Sequence, residues 1–257
     1  MSVEALARTR PPPTPFASQH PADRNTFLAL LLLTWMGIIG GFGLDVIDHI
    51  RNSTRAYPLI VHVHALLFTG WLVLMTVQMM LVRGHRLDIH RRLGLAMAWL
   101  IPVMVVVALA TAWTIQRQAM ALSSSHNPRF ISINLTDMLG FATLAGAAIL
   151  LRRDPPAHKR LMLLSLFYLS TAGFARLWLL TIGEAGAHTF WGFFIAYNLG
   201  GDIPIVLLGA YDLATRGRLH PAYVAGAAWI LANELAAAWL YFTPAWKATS
   251  LRLLGLT

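Results

Sequence analysis

Residues 59–82 read LIVHVHALLFTGWLVLMTVQMMLV and are followed at once by RGHRLDIHRR at 83–92. The first stretch carries no Asp, Glu, Lys or Arg over 24 residues. As a helix it rises about 36 Å, enough to cross a hydrocarbon core of about 30 Å. The second stretch is a knot of Arg and His, which is how a membrane protein places charge at an interface. A lipid-facing β-strand would alternate apolar and polar residues over about 10 positions, and this run does not.

Working outward, the same pattern recurs. Six more windows are apolar enough to cross: Thr26–Ile47, Leu93–Ile115, Phe130–Leu151, Leu161–Ile182, Thr189–Leu208 and Ala222–Phe242. The expectation is an all-α bundle of seven transmembrane helices (residues 26–257) behind a disordered tail (residues 1–25). In that tail, Pro11-Pro12-Pro13-Thr14-Pro15 reads as extended chain. The first apolar run is too long for the core of a signal peptide and stays attached as a true first helix. The whole composition agrees: 57 % apolar and 12 % charged over 257 residues, about half the charge of a soluble domain.

The net charge of +9 does not point to nucleic acid, because the basic residues sit in short knots between uncharged runs. One side of the membrane collects 13 of them: Arg8, Arg10, Arg24, Arg83, Arg86, Arg91, Arg92, Arg152, Arg153, Lys159, Arg160, Arg216 and Arg218. The other side has 6: Arg51, Arg55, Arg117, Arg129, Lys247 and Arg252. The positive-inside rule puts the N-terminus in the cytoplasm and the C-terminus outside, in a bacterial inner membrane. With no cysteine, disulfides, thiolate nucleophiles, Cys-ligated zinc and iron–sulfur clusters are excluded. The only lysines, Lys159 and Lys247, lie at interfaces, which argues against a retinal Schiff base.

Three inner loops echo one another: RGHRLDIHRRL at 83–93, RRDPPAHKRL at 152–161 and RGRLHP at 216–221. Each ends one helix with basic residues and opens the next with a histidine, as three helical hairpins would. Two readings stay open. His90, His158 and His220 either tether helix starts at the headgroup level or converge on a cofactor, haem or metal, at the inner face.

Ionisable residues inside spans are costly and face the bundle interior when they occur. Counting depth along each span places Asp45, His62, His64, Asn134, Asp137, Arg176, Asn233 and Glu234 in the outer half of the bundle, with Asn198 and Asp202 near the middle of the sixth span. At 100° per residue His62 and His64 point about 200° apart, so a regular helix turns only one of them inward. Asn134 and Asp137 share a face, as do Asn198 and Asp202, while Ser165, Tyr168, Ala172 and Arg176 form one stripe. Asp45, Asp137, Asp202 and Glu234 face a single in-span cation, Arg176. The balance must come from protonated carboxyls, a protonated histidine or a metal ion. A satisfied or proton-carrying network, a metal site and a polar ligand pocket are all compatible with that arithmetic. The cluster of Gly37, Gly40, Gly41 and Gly43 reads as close helix packing.

The motifs HVHALLFTGWL with Gln78, DIHRRLG, AHKRLM, TRGRLHPA and TPAW together resemble an uncharacterised bacterial family of polytopic membrane proteins. The resemblance runs from about Tyr57 to the C-terminal segment and implies the same topology. It implies no reaction and no functional residue. A weaker likeness to membrane b-type cytochromes rests only on histidines in helices.

The leading expectation is therefore an outward-facing His/carboxylate site holding a divalent metal (zinc, iron or manganese). His62 or His64, Asp137 and Glu234 are its ligands, Asp202 an acid–base partner and Arg176 an electrostatic clamp. An enzyme there would act on a lipophilic small molecule through metal-activated water. The alternatives are a haem b redox protein, with His62 or His64 or the inner histidines as axial ligands, and a proton-coupled carrier or structural subunit.

Overall fold

The computed structural model describes residues 16–53, 55–122, 126–182 and 187–256, with side chains omitted at 180–182. Arg8, Arg10 and the Pro11–Pro15 run lie outside the described residues. Among the described residues the fold is all-helical, with seven helical stretches long and apolar enough to cross a membrane. The first span is α1 (Asp23–Asn52) and the second α2 (Leu59–Arg83). The third is broken in two, α3 (Leu87–Ala98) and α4 (Leu100–Leu122). Then come α5 (Ile131–Leu150), α6 (Pro155–Ile182), α7 (Phe190–Arg216) and α8 (Pro221–Phe242). A short helix too polar to cross, α9 (Pro244–Leu253), follows.

Local chemistry sets these ends. Pro155 and Pro221 occupy first-turn positions, where the missing N–H costs nothing. Thr189 caps α7 by accepting from the Gly192 amide at 3.1 Å. Gly217, at φ +66°, stops α7 in the left-handed conformation that glycine tolerates. The third span starts earlier than its apolar window because Asp88–Arg92 remain helical at the membrane edge. Its break at Trp99 lies three residues before Pro102, whose ring and missing N–H disrupt the preceding turn.

α6 is the hub. Its central window is 61 % buried, against 22–44 % for the other spans. α1, α5, α7 and α8 pack around it, and α2 with α3 and α4 flanks the α1 and α5 side. The closest approach is between α1 and α6. A Cβ on Gly41 would overlap the Gly173 backbone, and one on Gly37 would strike the Phe174 ring. This is the small-residue packing that lipid favours, since apolar side chains gain nothing there by leaving solvent. Two apolar clusters fill the rest. One joins Leu144, Leu161, Leu164, Leu208, Tyr223 and Ile230, and the other joins Trp71, Met75, Met104, Phe141 and Leu166.

Candidate functional site

Glu234 of α8 is 2 % exposed, and neither of its enclosed carboxyl oxygens meets an amide, hydroxyl or cationic donor. The charged groups it faces are two more carboxyls, Asp202 of α7 and Asp137 of α5. Asp137 sits against the Tyr168 hydroxyl of α6, which itself has no aligned hydrogen-bond partner. The sequence places this group by two devices. Asp137 and Gly140 share a face of α5, and a Cβ at Gly140 would strike the Tyr168 ring, so glycine lets the phenol approach. Asn198 and Asp202 share a face of α7, with Asn198 buried. Asn233 does not serve Glu234, because its Nδ2 donates to the Trp229 carbonyl at 2.8 Å. Among the described residues no ion pair includes Asp137, Asp202 or Glu234.

The expected clamp is elsewhere. Arg176 pairs with Asp45 of α1 at 3.5 Å, lies 4.4 Å over the Phe42 ring and donates to the Ala172 carbonyl at 2.9 Å. It shares a stripe with Tyr168, but eight residues of helix separate them by about 12 Å. At that level α6 faces α1 across the Gly41–Gly173 crossing, and this turns the guanidinium toward α1.

The metal site is not formed. Among the described residues no group of three or more His, Asp or Glu side chains could hold a metal ion. His62 is exposed and meets Tyr57 edge-on at 6.4 Å. His64 is half-buried and stacks on Phe68 at 4.1 Å, with Nδ1 enclosed and unpartnered. The two imidazoles do differ as their helical phase requires. Neither joins Asp137, Asp202 and Glu234, because α2 lies on the α1 and α4 side of the bundle rather than beside α7 and α8. This corrects the divalent-metal expectation for zinc, iron or manganese, and with it metal-activated water.

The haem b expectation fails on similar grounds. His90 and His158 do approach, with ring centroids 6.3 Å apart. His158 Nδ1, however, donates to the Ala148 carbonyl at 2.8 Å. His220 is turned away to cap α8, its Nδ1 accepting from the Ala222 amide at 3.1 Å. Its ring meets Phe16 at 4.8 Å. Burial, and then the neighbouring Arg160 cation, push the His220 pKa down. Both keep it neutral, as its acceptor role requires. His158 and His220 hold a loop and a helix start rather than a shared group, while His90 Nδ1 is enclosed without a partner.

Sequence reading missed a second cluster at the basic end. Arg160 of α6 and Asp212 of α7 are both fully buried and joined by two hydrogen bonds, one of them Nε to Oδ2 at 2.6 Å. Arg216 reaches Asp212 at 3.5 Å and Asp23 at 2.7 Å. Lys159 and the Tyr211 hydroxyl complete the shell around Asp23, at 2.7 and 2.6 Å. Spacing gives one hint, Asp212 and Arg216 at i, i+4. The pairing of Arg160 with Asp212 is tertiary and leaves no local trace.

No protein-family model matches the chain, and no curated protein or solved structure matches it.

Proposed function

We propose that the chain is a proton-handling membrane protein in which Asp137, Asp202 and Glu234 bind and release protons in the bundle interior. One observation carries this reading: the Glu234 carboxyl is enclosed without a donor while facing two like groups. Three negative charges sharing a low-dielectric site repel one another and lose their hydration. Arg176, the in-span cation of α6, is engaged with Asp45. Binding protons removes the charge, and the Tyr168 hydroxyl beside Asp137 is a group that can pass one on. In this reading the protein lies in a bacterial cytoplasmic membrane with its basic end inside. The motif likeness to the polytopic family is compatible with that placement.

The test is infrared difference spectroscopy of the reconstituted protein across a pH jump. Protonated carboxyls give a carbonyl stretch distinct from that of carboxylates. Glu234→Gln and Asp202→Asn are expected to remove or shift that band while the amide bands stay helical. A native protein with no protonated carboxyl band, or a band untouched by both variants, refutes the proposal.

A further inference from the structure

The hydrogen-bonded cluster at the basic end lies between the cytoplasm and the carboxyls, on the same two helices. Arg160 is eight residues before Tyr168 on α6, and Asp212 is ten residues after Asp202 on α7. One turn closer to the carboxyls, Leu164 and Leu208 are both fully buried and close the space with Tyr223. A proton or water arriving from the basic end therefore meets a salt-bridged layer and then an apolar one.

A strap of non-helical chain lies over the salt-bridged layer. The Phe16 ring covers the Arg160 guanidinium at 4.5 Å, with Arg216 and Arg218 at 5.3 and 5.6 Å. The Ala17 carbonyl accepts from Arg216 Nε at 3.1 Å, and the Ser18 carbonyl accepts from Lys159 Nζ at 2.9 Å. The Asp23 carboxylate closes the strap on Lys159, Tyr211 and Arg216. These contacts tie α6, α7 and Arg218 of the turn after α7 to the strap and to the first residue of α1, and none belongs to the apolar core. Ala17, Ser18 and Gln19 are exposed, so water competes for the two carbonyl attachments, whereas the Asp23–Arg216 pair, at 13 % and 2 % exposed, is the part of the latch that must be broken. The Phe16 ring is part of the cover over the buried Arg160–Asp212 pair.

α7 also has a place to bend. Pro204 sits inside the helix, so the Gly200 carbonyl has no amide to accept from. Gly200 and Gly201 lie against Phe174 and Thr171 of α6 at the same level. Asp202 is on this softened turn, and kinks of long helices concentrate at such positions.

We propose that the inner half of α7, from Ile205 to Arg216, is a gate that pivots at Gly200–Pro204 and is latched shut by the Phe16–Asp23 strap. Releasing the strap wets the Arg160–Asp212 pair, lets the inner end of α7 part from α6 and admits water past Leu208 toward Asp202. This rests on the proton-binding reading for what the gate serves, but the motion has its own readout.

The chain has no cysteine, so a single Leu208→Cys reports access cleanly. The probe is a membrane-impermeant maleimide, applied to either face of vesicles holding the full-length protein. With L208C alone, labelling is expected to be slow from both faces. Adding Asp23→Asn or Phe16→Ala should speed labelling from the basic face at least tenfold and leave the opposite face unchanged. Pro204→Ala added to L208C/D23N should slow it again. If D23N does not fold, F16A carries the test. Unchanged labelling in the strap variants, or an equal rise from both faces, overturns the gate. Faster labelling in a protein without a protonated carboxyl band would instead refute the proton-binding reading and leave the pivot standing.

Discussion

Replacing Asp212 by Asn tests how far the basic end holds the bundle together. Both partners of the Arg160–Asp212 pair are fully buried. The substitution removes the negative charge that receives Arg160 Nε and Nη2. Arg160 keeps the Pro156 carbonyl, at 3.0 Å, the face of Phe16 and one neutral amide oxygen, while its second donor then faces the new amide NH2. Stranding a buried cation in this way costs about 3–5 kcal/mol. The internal control is Asp88→Asn, which breaks the Arg86 pair at the basic end, outside the apolar windows. That pair spans 3.8 Å with side chains 61 % and 64 % exposed, and its loss costs about 0–1 kcal/mol. Unfolding of both variants by a denaturing detergent, followed by helical circular dichroism, measures the difference directly. The double variant Arg160→Met/Asp212→Leu should recover much of the loss, because matched apolar groups replace the pair without stranding a charge. If Asp212→Asn costs no more than Asp88→Asn, the buried pair does not support the fold.

Other consequences are open to measurement. Gly41→Leu would drive a side chain into the Gly173 backbone, so α1 should separate from α6 at a cost of about 1–3 kcal/mol, read by the same detergent titration. His220 has its pKa lowered in the folded protein, mainly by burial and then by Arg160. The folded state therefore binds fewer protons than the unfolded one just below the ordinary histidine range. Its stabilising share is complete above about 6.5 and falls as the pH drops toward the depressed value. His220→Asn, which can still cap α8, should flatten that part of a stability–pH profile. Reporter fusions active on one side of the membrane should place the N-terminus inside and the C-terminus outside, from 13 against 6 basic residues. A reversed pattern would overturn the orientation and the side from which the gate opens.

The spans were legible because each contains an apolar run long enough to cross, and nothing but a helix satisfies its own backbone there. Their ends were less so. Leu87–Arg92 carries the charges of a loop yet continues as helix, and α9 is too polar for any apolar window. In the site, Asp137, Asp202 and Glu234 were legible as carboxyls that lipid would not accept alone. The phase argument also separated His62 from His64. Depth along a span gives a level but no azimuth between helices. Arg176 and Asp137 were therefore placed together, although Arg176 turns toward α1. It also left His62 and His64 in the same layer as carboxyls that belong to another side of α6. Arg160 was hidden for the opposite reason: at the end of a basic knot it counts as an interfacial charge, and only the fold shows it buried.

The position of α6 as hub also bears on how the protein is made. α1 packs chiefly on α6, yet roughly 130 residues of synthesis separate the end of α1 at Asn52 from the end of α6 at Ile182. At about 5–20 residues per second this is a delay of roughly 6–26 s. Throughout that interval the Gly37–Gly41 face of the first helix has been released into lipid with no surface to close against. The bundle therefore cannot assemble hairpin by hairpin in order of emergence. Its oldest helix must be held near the insertion site, or wander and return, until the fifth span arrives.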